Sequence, residues 1–162
     1  MIYIASSIMN IPHSALEIYV SGCFRHCKGC QNEYIQKFGY GTSWTEWNKK
    51  NKKKYLSPIV EKIWILGGDL LCQEYEDALF LIKDIRRETN KELWLWTGET
   101  MEGIKGKEPL FEIASLFDYV KTGPYQKENK EKKTYDINGV SLEIAGSNQE
   151  LYKVKNKVFE IL

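Results

Sequence analysis

Short apolar segments alternate with helical segments along the first three quarters of the chain. The apolar runs at 15–20, 62–66, 93–97 and 118–122 have the length and composition of buried strands. Residues 73–88 place apolar side chains at helical spacing, with charged residues on the opposite face. This alternation predicts right-handed βαβ units and a parallel sheet.

Weaker signals predict the remaining elements. We expect an edge strand at 2–5, an irregular connector at 8–14 and a hairpin at 135–144 with Asn138-Gly139 as its turn. Short helices are expected at 33–38, after the N-cap segment Thr42-Ser43, from Ser57-Pro58 onward, and at 108–117. The last segment of the chain shows no clear period and is assigned to neither helix nor strand.

Two charged runs interrupt this pattern. The lysine-rich run 48–54 is expected to be a solvated surface loop, with a docking patch as the alternative. The run 127–133 mixes lysines with glutamates and is also expected to be a loop. Neither run decides the function.

Composition and charge limit the classes of protein to which this chain can belong. The 162 residues fit one domain, 1–162, and 43% hydrophobic residues can bury a substantial core. A net charge of +1 gives no electrostatic reason to expect a nucleic acid or an acidic membrane surface as a partner. The apolar start of the chain is too short for a signal peptide, and no run reaches the length of a membrane span. We therefore expect a cytoplasmic protein whose thiols stay reduced.

The predicted parallel strands end close to glycines, at Gly22, Gly67, Gly98 and Gly123. Because the carboxyl ends of parallel strands share one edge of a sheet, these glycines should lie near one another. Ligands bind at that edge in sheets of this kind. The glycines therefore predict a single site.

Three of the four cysteines follow the strand at 15–20 directly. Cys23, Cys27 and Cys30 have the spacing C-x3-C-x2-C, whereas Cys72 is far away in the sequence. A structural zinc site usually has four ligands in two separated pairs, and a ferredoxin cluster needs four cysteines. Three thiolates can hold a [4Fe–4S] cluster and leave one iron open to a substrate.

The cysteines alone leave other classes open. A disulfide with one odd thiol is disfavoured, because no secretory signal precedes it. A zinc-binding interaction module would bind zinc and show no iron–sulfur colour. A non-catalytic iron–sulfur electron carrier would have a cluster that ignores small-molecule substrates.

The motif C-x3-C-x2-C is identified as that of the radical S-adenosylmethionine (SAM) superfamily. Its flanks, Gly22, Lys28-Gly29 and Asn32, resemble those of the activases of anaerobic ribonucleoside-triphosphate reductases. Further segments resemble the same family: Gly67-Gly68-Asp69, Thr97-Gly98-Glu99, 119–125 and 146–149. Gly29 stands where many superfamily members have an aromatic residue.

The resemblance implies a fold of the α/β class, an incomplete TIM-like barrel with mainly parallel strands. A complete barrel usually needs about 250 residues, so this chain would form an open one. The implied cofactors are a [4Fe–4S] cluster, with Cys23, Cys27 and Cys30 as ligands, and SAM at the open iron. The implied SAM contacts are Gly67, Gly68, Asp69, Thr97, Gly98 and Lys121.

The implied activity is that of a glycyl-radical-generating oxidoreductase. It would cleave SAM reductively and form a glycyl radical on the large subunit of the anaerobic ribonucleoside-triphosphate reductase. A reducing protein such as flavodoxin would supply the electron. An activase of another glycyl radical enzyme, and a small radical SAM enzyme acting on a metabolite, stay as alternatives.

Overall fold

A computed structural model describes residues 1–129 and 131–162 of the chain. The described strands are β1 Tyr3–Asn10, β2 Ala15–Val20, β3 Thr42–Ser43, β4 Lys62–Gly67, β5 Glu92–Trp96, β6 Tyr119–Thr122, β7 Lys133–Ile137, β8 Val140–Ile144, β9 Glu150–Lys155 and β10 Val158–Ile161. The helices are α1 Trp44–Leu56, α2 Tyr75–Glu88, α3 Met101–Gly106 and α4 Glu108–Ala114. Short 3-10 turns occupy Glu33–Ile35 and Leu70–Cys72.

The main sheet is mixed. In the described residues it has eight strands in the order β10-β9-β6-β5-β4-β2-β1-β3. The inner strands β2, β4, β5 and β6 are parallel, as the alternating pattern predicted. The flanking strands β1, β3, β9 and β10 pair antiparallel.

The expected incomplete TIM-like barrel with mainly parallel strands is wrong. Among the described residues the sheet has more antiparallel than parallel pairs, and four helices do not form a surrounding ring. A barrel needs a helical crossover after each strand, but after β6 the chain enters the hairpins β7–β8 and β9–β10 instead. Antiparallel strands need only tight turns between them. Asn138 and Gly139 form one such turn, both with positive φ, as the sequence predicted.

The inner strands are buried on both faces. Ile63, Ile65 and Leu95 belong to the core cluster that includes the buried residues of α1 and α2. The alternate positions Trp64 and Trp94 belong to a second cluster, which also includes residues of the β7–β8 hairpin. Burial on both faces explains why β4 and β5 each contain a continuous apolar run.

Several local predictions need correction. The lysine-rich run 48–54 is not a loop but part of helix α1. The helix forms because Trp44, Trp47 and Tyr55 give it a buried face, although the many lysines obscure this pattern in the sequence. In the described residues no helix starts at Ser57-Pro58, since Ser57 caps the C-terminus of α1.

Other differences concern boundaries and missed elements. The first strand extends through Asn10 into the expected connector. The expected helix at 33–38 is reduced to a 3-10 turn, and α3, β9 and β10 were not predicted. Within the expected loop 127–133, Lys133 begins β7 and Lys130 lies outside the described residues. In the described segments, no helix combines the length and apolar character that crossing a membrane requires.

Candidate active site

Backbone hydrogen bonds close the segment that carries the three cysteines and join its start to the turn after β4. The Gly22 and Cys23 amides donate to the carbonyls of Ile35 and Gln36, at 2.8 and 2.9 Å. The Asp69 amide donates to the Gly22 carbonyl at 3.0 Å, which joins the loop to the turn after β4. Gly22 has φ of +100°, and a Cβ there would lie 2.3 Å from the Phe38 ring, so this position requires glycine.

All nine residues predicted as cluster ligands or SAM contacts line one cavity of about 340 Å³. They are Cys23, Cys27, Cys30, Gly67, Gly68, Asp69, Thr97, Gly98 and Lys121. The cavity lies at the carboxyl ends of the parallel strands, where the glycine pattern placed it. Its lining also includes Glu143, Ile144 and Ala145, at and just after the end of β8.

The donor set fits an iron–sulfur cluster. Cys23, Cys27 and Cys30 are free, partly exposed thiols. The Asn32 amide donates to the Cys30 sulfur at 3.4 Å. Across residues 1–129 and 131–162, no three His, Cys, Asp or Glu side chains converge on one metal-ion position. A cluster instead spreads its three cysteine ligands over three irons.

Cys72 lies beside the cysteine loop, which its sequence position did not reveal. A hydrogen bond from its thiol lowers the pKa of Cys23 to about 7, against the opposing effect of burial. The same contact, together with burial, raises the pKa of Cys72 itself. Cys72 occupies the 3-10 turn after β4, the neighbour of β2, and only the strand order shows this proximity.

Asp69 is a buried hub that connects three strand ends. Its Oδ1 accepts from the Leu71 amide at 2.9 Å. Its Oδ2 accepts from Arg25 Nε at 2.8 Å, Thr97 Oγ1 at 2.8 Å and the Gly98 amide at 2.9 Å. Each carboxylate oxygen offers about two acceptor positions, so the three donors on Oδ2 use that oxygen fully, whereas Oδ1 keeps one position.

The remaining predicted contacts also have partners within the protein. Thr97 Oγ1 donates to Asp69 and accepts from the Glu99 amide at 3.0 Å. The Gly67 carbonyl accepts from Asn32 Nδ2 at 3.2 Å. A Cβ on Gly68 would lie 2.5 Å from the Gly22 carbonyl oxygen, so Gly68 allows the cysteine loop to approach β4 closely.

Lys121 supplies a buried cation in the cavity wall. Its Nζ lies 3.4 Å from the Gly123 carbonyl and 5.9 Å from the centre of the Trp96 ring. Burial lowers the pKa of Lys121 to about 8, although Asp69 opposes this shift. Burying an ammonium without a carboxylate contact is costly, which suits a residue that receives an anion.

Two further residues were missed as site residues. Arg25, inside the cysteine loop, contacts both Asp69 and Glu99. Gln149 is buried in the cavity wall and donates to the Gly123 carbonyl at 3.1 Å. Gln149 belongs to the segment 146–149 that carried part of the family resemblance, whereas no sequence signal marked Arg25.

The arrangement of three thiols in a tight loop over a strand end agrees with a known class of protein. The model of the 4Fe-4S single cluster domain family matches residues 14–145. The chain therefore belongs to this family.

A more specific class is given by the relatives, because the chain is similar in sequence to anaerobic ribonucleoside-triphosphate reductase-activating proteins. The protein of this name from Enterobacteria phage T4 is 30% identical over 130 residues, covering 78% of this chain and 81% of the relative. Those from Salmonella typhi and Escherichia coli K12 are 26% and 27% identical, over 80% of this chain and 86% of each relative. These similarities confirm the resemblance inferred from the cysteine motif. No solved structure matches the chain.

Proposed function

We propose that this chain binds a [4Fe–4S] cluster through Cys23, Cys27 and Cys30 and uses it to activate an anaerobic ribonucleoside-triphosphate reductase. The observation that carries the proposal is the convergence of all nine predicted residues on one cavity. The names of the relatives support the choice of partner. A cytoplasmic location, where thiols stay reduced, belongs to the same proposal.

Cys23, Cys27 and Cys30 would hold the cluster, which when bound would supply the one-electron reduction of SAM, with the electron coming from a reduced donor protein such as flavodoxin. Cleavage of the carbon–sulfur bond would release methionine and a 5′-deoxyadenosyl radical. This radical would take a hydrogen atom from a glycine of the reductase, giving 5′-deoxyadenosine and a glycyl radical. The protein's part is to hold the reactants in place and to exclude water.

Lys121 is suited to bind the carboxylate of SAM. Its ammonium is buried and lines the cavity, and within residues 1–129 and 131–162 its one hydrogen-bond acceptor is the Gly123 carbonyl at 3.4 Å. The neighbouring Trp96 has a buried indole Nε1 without an acceptor in the described part of the chain, so it can donate to the same ligand. Both side chains leave hydrogen-bonding capacity for a polar molecule.

Asp69 and Thr97 support the site indirectly. The Asp69 side chain is 1% exposed and its carboxylate already accepts four hydrogen bonds from the protein, so an incoming ammonium group would have little access to it. We therefore assign Asp69 and Thr97 to positioning the strand ends. The cavity side of the Gly67-Gly68 backbone is left for the ammonium group of SAM.

The proposal is tested by SAM cleavage under anaerobic conditions. The reconstituted protein, with SAM and a strong reductant, should produce 5′-deoxyadenosine and methionine in equal amounts. Adding the reductase should give a glycyl radical signal in electron paramagnetic resonance (EPR). Replacing Cys23, Cys27 or Cys30 with alanine should abolish both products. A stable cluster that leaves SAM intact, even with the reductase present, would instead favour the electron-carrier alternative.

A further inference from the structure

The middle of the cysteine loop has few attachments to the rest of the protein. Between residues 24 and 29, in the part of the chain that the structure describes, two side chains make polar contacts outside the loop. His26 Nδ1 lies 3.1 Å from Gln36 Oε1 at the exposed surface. The other side chain is that of Arg25, which reaches into the cavity wall.

Arg25 bridges two carboxylates on different strand ends. Its Nε donates to Asp69 Oδ2 at 2.8 Å, and its Nη2 donates to Glu99 Oε2 at 3.0 Å. The Arg25 and Glu99 side chains are 17% and 18% exposed, and that of Asp69 is 1% exposed. These ion pairs are therefore well shielded from solvent, unlike ordinary surface pairs.

The surroundings are shaped to accept this arginine. The Arg25 chain lies against Gly98, where a Cβ would come within 2.7 Å of Arg25 Cδ. Burial disfavours the charge, but Asp69 and Glu99 raise the pKa of the guanidinium above its usual value. Burial would also raise the pKa of Glu99, yet hydrogen bonds from the Thr100 amide and Arg25 lower it.

We infer that Arg25 is a positioning residue that holds the middle of the cluster-binding loop against the ends of β4 and β5. This inference rests on the proposed cluster site. By fixing the backbone between Cys23 and Cys27, Arg25 sets the relative placement of two cluster ligands before the cluster binds. A guanidinium can serve two acceptors in one plane, whereas the single ammonium of a lysine cannot reproduce that fork.

Two measurements test the loop itself rather than the catalysed reaction. The first is hydrogen exchange of the amides at 24–29 in the cluster-free protein, and the second is the rate at which a chelator removes iron from the reconstituted protein. Arg25→Met should raise both rates about tenfold, as expected for the loss of charge-assisted hydrogen bonds. Arg25→Lys and Glu99→Gln should give intermediate rates, because each keeps part of the bridge.

Arg86→Met is the matched control. Arg86 also makes a 2.8 Å ion pair, with Asp118, and donates to the Lys91 and Leu116 carbonyls, but it lies outside the cavity. This variant should lower global stability while leaving both loop rates unchanged.

The inference is overturned if Arg25→Met matches the wild type in both measurements. It is also overturned if Arg86→Met accelerates them equally, since the effect would then be global. If the wild-type protein binds no iron, the proposed function fails, whereas hydrogen exchange in the cluster-free protein still decides the role of Arg25.

Discussion

The substitution Asp69→Asn tests whether Asp69 stabilises the fold as a hydrogen-bonding hub or binds SAM directly. The side chain is 1% exposed, and its two oxygens accept four hydrogen bonds. The substitution keeps the size but replaces one oxygen with an NH₂ group, which donates. In either orientation the new amide faces at least one protein donor, and the charge that pairs with Arg25 is lost.

The expected loss in the free energy of unfolding follows from these contacts. One lost hydrogen bond costs about 1 kcal/mol, and losing the charge assistance to Arg25 brings the total to about 3 kcal/mol. For a chain of this length, that lowers Tm by about 6–12 °C. The assay is thermal and urea unfolding of the cluster-free protein, kept anaerobic with a thiol reductant.

The control is Asp136→Asn in the exposed turn of the β7–β8 hairpin. Asp136 accepts one hydrogen bond, from the Gly139 amide at 2.8 Å, so its replacement should change stability by less than about 0.5 kcal/mol. If the Asp69→Asn protein is as stable as this control and only binds SAM more weakly, the structural role assigned to Asp69 is wrong and Asp69 is a direct SAM ligand.

Three further predictions concern the site. Cys27→Ser should reduce the iron retained after reconstitution to a small fraction of the wild-type amount, because the three thiolates bind jointly; undiminished iron would contradict the ligand assignment. Because Lys121 has a pKa lowered to about 8, it is charged below that pH and neutral above it. SAM affinity, measured by equilibrium dialysis, should therefore fall as pH rises through about 8, and Lys121→Met should bind weakly without that pH dependence. Gly68→Ala should displace the cysteine loop and lower iron retention, whereas Gly106→Ala, with open space around it, should not.

The inner sheet could be predicted from the sequence because its signals are local. The strands β4 and β5 each contain a continuous apolar run, and each of the four parallel strands ends near a glycine. The Asn138-Gly139 turn is also predicted by a local signal, because these two residue types favour the positive φ that the turn requires. The cysteine spacing predicted the candidate site because three cysteines within eight residues share one loop.

The rest depended on contacts between distant residues. The amphipathic pattern of α1 is obscured by its lysines, because Trp44, Trp47 and Tyr55 are the only buried residues of this helix. The barrel was expected by family resemblance, and the chain shows no helical period after residue 122 to support further crossovers. Cys72 reaches the cysteine loop only through the strand order. Arg25 lies within the loop, but its partners Asp69 and Glu99 come from turns distant in the sequence, so no local pattern could assign its role.

The central claim is that three cysteine ligands leave one iron free to bind SAM. The most direct test is EPR spectroscopy of the reduced, reconstituted protein before and after SAM is added, with iron and sulfide measured on the same sample. We expect a four-iron cluster per chain whose signal changes on SAM addition, and a loss of that change in Lys121→Met at the same SAM concentration. A four-iron signal that saturating SAM leaves unaltered would show that SAM does not bind at an open iron.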